Sequence, residues 1–287
     1  WTLLNAGAAQ VQMPAAIRGA GESQIAKVPA PVPTANKSTT TPPQITPQAT
    51  TPEARSVQTA SLQAQPRDAA AMNDLGVLYQ RGDGRPQNYV EARRWYEKAA
   101  ELGFALAMTN VGALHYYGRG TPQDYVEARR WYERAAALSE PNAMFALGEI
   151  YRSGHGVQQD YGEARRWYES AAAHNYPAAM NSLGALHDEG KGTPQDVEQA
   201  QQWFKKAAAL NEPSAMYNLG RMYALGRGGP RNYTEAHRLL EKAAALGHAR
   251  AMQDLGFLHE TGQGTPQDYG QARRGMRRPL LWASQAR

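Results

Sequence analysis

The sequence predicts an all-α solenoid of helix–turn–helix repeats standing behind a long unstructured segment. Two observations carry that prediction. Gly76, Gly112, Gly148, Gly184, Gly220 and Gly256 follow one another at intervals of 36 residues. Trp95, Trp131, Trp167 and Trp203 keep the same step, with Leu239 in that place in the fifth repeat. A fixed period in the range of roughly 20–50 residues marks repeats that stack on their neighbours to bury a shared core.

Residues 1–66 differ from the rest. Between Thr2 and Leu78 there is no aromatic residue, and nine of the 18 prolines fall between Pro14 and Pro66. Such a segment buries too little apolar surface to offset chain entropy, so it reads as a disordered Pro/Thr/Ala-rich linker. No aromatic or basic anchor flanks the prolines, which argues against a proline-rich recognition ligand. A chain that begins with Trp1 reads as processed or partial, and a linker of this size implies a further segment tethered before it. The net charge is +5 and the sequence holds no cysteine. That removes disulfides and thiolate chemistry and fits cytosol and periplasm alike. No apolar run reaches the roughly 18 residues of a membrane span.

The repeats occupy 67–274, in units near 67–103, 104–139, 140–175, 176–211, 212–247 and a partial 248–274. In each first helix, the apolar stripe Ala71, Leu75, Leu78 recurs at helical spacing. A glycine inside that helix costs about 1 kcal/mol relative to alanine. Its return in every repeat implies the close approach of another backbone. The second helix opens on Asp124 as N-cap, with Glu127 three residues on as a capping box. Asn88/Glu91, Asp160/Glu163, Asp196/Gln199, Asn232/Glu235 and Asp268/Gln271 repeat that pair. Ala128, Trp131, Tyr132 and Ala135 then form the inward stripe, with the tryptophan in the core. Gly103, Asn175, Asn211 and Gly247 stand where left-handed C-caps are required.

These motifs, A-x-x-x-L-G-x-L-Y, G-x-G-x-P-Q-D and Y-x-E-A-x-x-W-Y-x-K-A-A, closely resemble Sel-one-like repeats, relatives of tetratricopeptide repeats. The resemblance covers about 68–274 and implies a right-handed α-superhelix that assembles other proteins, without catalysis; the motif usage looks bacterial. It also raises a second reading, because a cysteine-rich branch of the family binds or hydrolyses β-lactams. That branch relies on a disulfide in each repeat, which this chain lacks.

No residue set points to a catalytic, cofactor or metal site. In Gly190-Lys191-Gly192-Thr193 a glycine separates Lys from Thr and a helix precedes, so the loop is a turn rather than a phosphate cradle. His115, His187 and His259 lie 72 residues apart and cannot converge on one ion. Arg pairs at 93–94, 129–130, 165–166 and 273–274 share their helices with glutamates, the pattern of a solvated, ion-paired face rather than a nucleic-acid stripe. Function is therefore expected where the repeats differ. Tyr117, Phe145, Glu149, Arg152, Asp188, Tyr217, Arg221 and Phe257 are the candidates for holding a protein or peptide partner, on the concave face that first helices line.

At the C-terminus the register predicts Trp-Tyr at 275–276, but the chain reads Gly275-Met276. One choice of codons for Arg274 to Ala283, read one base earlier, spells Trp-Tyr-Glu-Ala-Ala-Ala-Ala-Leu-Gly. Residues 275–287 thus read as an irregular, frameshifted tail that leaves the sixth repeat uncapped and open to self-association.

Overall fold

The computed structural model describes residues 68–272; the linker at 1–66 and the tail at 275–287 lie outside the described residues. Eleven complete helices fall among them: α1 Ala69–Arg81, α2 Tyr89–Glu101, α3 Ala105–Tyr117, α4 Tyr125–Ala136, α5 Pro141–Ser153, α6 Tyr161–Ala173, α7 Pro177–Glu189, α8 Val197–Ala209, α9 Pro213–Leu225, α10 Tyr233–Ala245 and α11 Ala249–Thr261. A further helix begins at 269. Odd-numbered helices are the first helix of each repeat and even-numbered ones the second. There is no strand among the described residues. The helices fall into two compact halves, an N-terminal one of 68–186 with 191–194 and a C-terminal one of 187–190 with 195–272.

Each second helix begins as the sequence predicts, but with a different reciprocal bond. Asp124 Oδ1 accepts from the backbone N–H of Val126 and of Glu127, both at 2.9 Å. The glutamate does not reach back to complete a capping box. Instead the Asp124 N–H donates to the carbonyl of His115 in the preceding helix at 2.9 Å. The same bond joins Asn88 to Tyr79, Asp160 to Tyr151, Asp196 to His187, Asn232 to Tyr223 and Asp268 to His259. The freed glutamates pair with arginines one turn on, as Glu127 does with Arg130 at 3.3 Å. The turn glutamine closes a second bond. Gln123 Nε2 donates to the Tyr116 carbonyl at 2.9 Å, and Gln87, Gln159, Gln195 and Gln267 do likewise to residues 80, 152, 188 and 260. Orphan carbonyls at the end of each first helix are satisfied in this way.

Gly103, Asn175, Asn211 and Gly247 adopt the expected left-handed conformation, and Ser139 joins them at φ 63°. A close approach does occur at the recurrent helix glycine, chiefly of a side chain, with a backbone carbonyl oxygen also near at Gly112 and Gly220. A Cβ on Gly76 would stand 2.5 Å from Tyr96 Cε1, and one on Gly112 would stand 2.8 Å from Tyr132 Cε1. Backbone contact comes at the turn, where a Cβ on Gly120 would meet the carbonyl carbon of Tyr89 at 2.5 Å.

The tryptophans are not core. Tyr96 and Tyr168 are fully buried and Tyr132 nearly so, with Phe204 and Leu240 in the same place. The adjacent tryptophans are half-buried. Successive residues on a helix point about 100° apart, and the tyrosine is the one in line with buried Ala92 and Ala99. Trp95, Trp131 and Trp203 lie on the flank, each covered by the cation three residues on: Lys98, Arg134 or Lys206, at 4.2 Å from the ring centroid.

Candidate functional site

Non-repeating residues of the first helices are mostly engaged with one another. In the N-terminal half, Asn73 and Asn110 are buried, and Asn110 Nδ2 donates to Asn73 Oδ1 at 2.9 Å. Thr109 is buried too and donates to the Ala105 carbonyl at 3.2 Å. Tyr117 is half-buried on α3, edge-on to Tyr116 with centroids 5.0 Å apart. The Arg119 guanidinium lies 5.2 Å from its ring, and burial raises its hydroxyl pKa. Phe145 is half-buried on α5 against Tyr168 and Tyr176, at 5.7 and 5.3 Å.

Glu149 and Arg152, one turn apart on α5, form a forked pair: Arg152 Nη2 donates to Glu149 Oε2 at 2.8 Å and Nε to Oε1 at 3.2 Å. The Tyr168 hydroxyl also donates to Glu149. Burial, reinforced by that carboxylate, pushes the Tyr168 hydroxyl well above its ordinary range. Burial opposes the Arg152 charge, yet Glu149 holds the guanidinium above its usual value. The structure therefore brings Phe145, Glu149 and Arg152 together around one tyrosine and fixes their rotamers.

In the C-terminal half, Asp188 of α7 pairs with Arg227 at 2.9 Å. Burial raises the Asp188 pKa, and Arg227 opposes the shift. Tyr217, a candidate contact residue, is buried, only 6 % exposed. Its ring stacks on His248, with centroids 4.5 Å apart and planes at 29°. Arg221 lies 5.6 Å from the same ring. Phe257 is half-buried on α11. Asp254, which the sequence analysis passed over, is raised to about 6 by burial, with Arg221 and Arg250 opposing.

Two further couplings escaped the sequence reading. The Tyr116 hydroxyl and His155 Nδ1 lie 2.7 Å apart, and the Asp188–Arg227 pair repeats their spacing of 39 residues. The signal was present as one period plus three, just as Asn73 and Asn110 are one period plus one apart. No group of three or more metal-ligating side chains occurs among the described residues. The second-helix arginines are ion-paired as expected, for example Arg129 to Glu133 at 2.8 Å and Arg93 to Glu97 at 3.2 Å.

Six consecutive segments, 69–104, 105–140, 141–176, 177–212, 213–248 and 249–274, match the Sel1 repeat. The chain belongs to the Sel1 repeat family. Sel1 repeat proteins are generally scaffolds for protein–protein interaction and mostly non-catalytic. The chain is similar to a Sel1 repeat protein of Oxalobacter formigenes, at 31% identity and a TM-score of 0.69, over 80% of this chain and 87% of that one. It is also similar to a protective antigen of uropathogenic Escherichia coli strains that displays an SLR fold. Identity there is 30% and the TM-score 0.64, over 76% of this chain but only 47% of the other. An immunity protein of Pseudomonas aeruginosa shares the fold, at 21% identity and a TM-score of 0.51, over 78% and 85% of the two chains. No curated protein matches the chain. Among the described residues no Sel1 helix is long and apolar enough to cross a membrane.

Proposed function

We propose that this chain is a non-catalytic adaptor that captures a partner protein or peptide on the first-helix face of its Sel1 repeats, through side chains preorganised by their neighbours. The observation that supports this reading most is the cluster on α5. Phe145 stays half-exposed beside a Glu149–Arg152 pair locked by Tyr168, which gives an aromatic anchor rimmed by fixed charge. Tyr117, Asp188, Arg221 and Phe257 are further contact residues in this proposal, and Tyr217 supports them from beneath.

Charge supports a protein partner over nucleic acid. Residues 68–272 carry 21 Lys and Arg against 24 Asp and Glu, so the surplus of positive charge belongs to 1–67 and 273–287. The test is affinity capture with the full chain, followed by binding measurements on the purified partner. Phe145→Ala and Tyr117→Ala are expected to weaken binding by about 1–3 kcal/mol each, with unchanged circular dichroism. Partner affinity unaltered in both variants would remove the first-helix face from consideration.

A further inference from the structure

Three of the seven histidines line the packing of α11: His248 at its N-cap stacks on Tyr217 of α9, and His259 in its last turn faces His237 of α10. No other repeat junction among the described residues has histidine at all three equivalent positions. The His248 ring is held in neutral form by geometry. Ala251 N–H donates to His248 Nδ1 at 3.2 Å, so that nitrogen carries a lone pair and caps α11. Protonation would set one N–H against another at a helix N-terminus, where positive charge is already unfavourable.

His237 Nε2 and His259 Nε2 lie 3.4 Å apart, with the rings at 88°. Glu241 Oε2, 3.5 Å from His237 Nδ1, draws the His237 proton to that side. His259 Nδ1 is buried without a partner, so the cheaper tautomer leaves it unprotonated and places the shared hydrogen on His259 Nε2. A second proton on His237 turns its Nε2 into a donor, so His259 must carry its hydrogen on Nδ1, which is buried without a hydrogen-bond partner.

We propose that this junction is a proton-operated latch: acid charges His248 and His237 and releases α11 from α9 and α10, uncovering Tyr217. Tyr217 from α9 and Arg250 from α11 face His248, Glu241 from α10 faces His237, and Arg221 and Asp254 act on Tyr217.

His248 and Asp254 titrate in opposition. Burial, with Arg250 adding, lowers His248 from 6.5 to about 4; the stability it contributes is complete above pH 6.5 and lost as pH falls toward 4. His237 is lowered as well, by burial, with Glu241 opposing. Asp254, raised from 3.8 to about 6, contributes stability below its unfolded value and loses it as pH rises through 6. At pH 5, His248 multiplies the opening equilibrium roughly thirtyfold and Asp254 divides it roughly tenfold, opposing effects of similar size, so the natural chain responds weakly. Asp254 masks the latch.

Hydrogen exchange of the full chain tests this, with peptides spanning 249–261 compared at pH 7.5 and 5.0 after correction for intrinsic rates, and peptides from α3–α6 as reference. Opening of α11 is expected to rise roughly thirtyfold in Asp254→Asn and by much less in the natural chain. In His248→Asn, which keeps an acceptor at the cap, the acid rise is expected to vanish and opening to fall instead, by up to about tenfold, because Asp254 remains. The double variant His237→Arg/His259→Tyr installs the residue types found at equivalent positions 129 and 151 and serves as a second check; its acid response must shrink. Equal α11 protection at both pH values in Asp254→Asn would overturn the proposal. So would acid opening spread equally over α3–α6, or acid opening undiminished in the double variant.

Discussion

Substituting Gly112 by alanine sets two opposing effects against each other, and the structure decides the sign. Helix propensity favours alanine by about 1 kcal/mol. Against that, the new Cβ would lie 2.8 Å from Tyr132 Cε1, 2.9 Å from Cδ1 and 3.2 Å from the Ala128 carbonyl oxygen. Tyr132 is only 5 % exposed, and the ring face rather than a flexible tip meets the methyl group. Overpacking of this kind costs about 1–3 kcal/mol, and the tight contacts with a buried ring put it at the upper end, so the net loss approaches about 2 kcal/mol, roughly 4–8 °C in Tm for a body of this size. Thermal unfolding followed by circular dichroism measures it. The cycle is completed by Tyr132→Leu, because a Cβ on Gly220 would meet Leu240 at a looser 3.1 Å. In that background Gly112→Ala should cost markedly less. A Tm that rises on Gly112→Ala in the natural chain would show that propensity outweighs the ring contact, and the account of the recurrent glycine would fail.

Two further outcomes follow from the same packing. Asn110→Leu strands the buried Asn73 amide and should cost about 1–3 kcal/mol, whereas Asn73→Leu/Asn110→Leu together should recover much of that loss; urea midpoints of the three variants give the comparison. Tyr132→Ala should destabilise by about 3–5 kcal/mol and Trp131→Ala by clearly less, since the tryptophan is half-buried. Equal losses would return Trp131 to the core.

Much of this fold was written in the period. A 36-residue step, an Asp or Asn cap before each second helix and glycines after the first helices place every helix within a residue or two, because these signals act locally. The missed features act between repeats. Trp131 and Tyr132 are both large and aromatic, and only the phase set by Ala128 and Ala135 tells which one faces inward. Glu127 matches a capping box, but the backbone carbonyl of His115 takes the N–H that it would have received. Tyr217 reads as a free position because it does not recur, yet its partner His248 does not recur either. Variation between repeats therefore marks paired positions as well as open ones, and separating the two requires knowing which residues lie one period plus one or plus three apart.

The bond from each second-helix cap to the preceding carbonyl, together with the turn glutamine, has a consequence for how such a chain can grow. Both bonds end on main-chain carbonyls of the preceding helix, so the turn is indifferent to which side chains stand at 116 or 155. A 36-residue block could be copied or excised without redesigning any turn. What would need re-matching is the seam. Excision of 141–176 would bring Tyr116 into the register of Lys191 in place of His155. The length of the array is thus free to drift, while its seams keep a memory of the order in which its blocks were laid down.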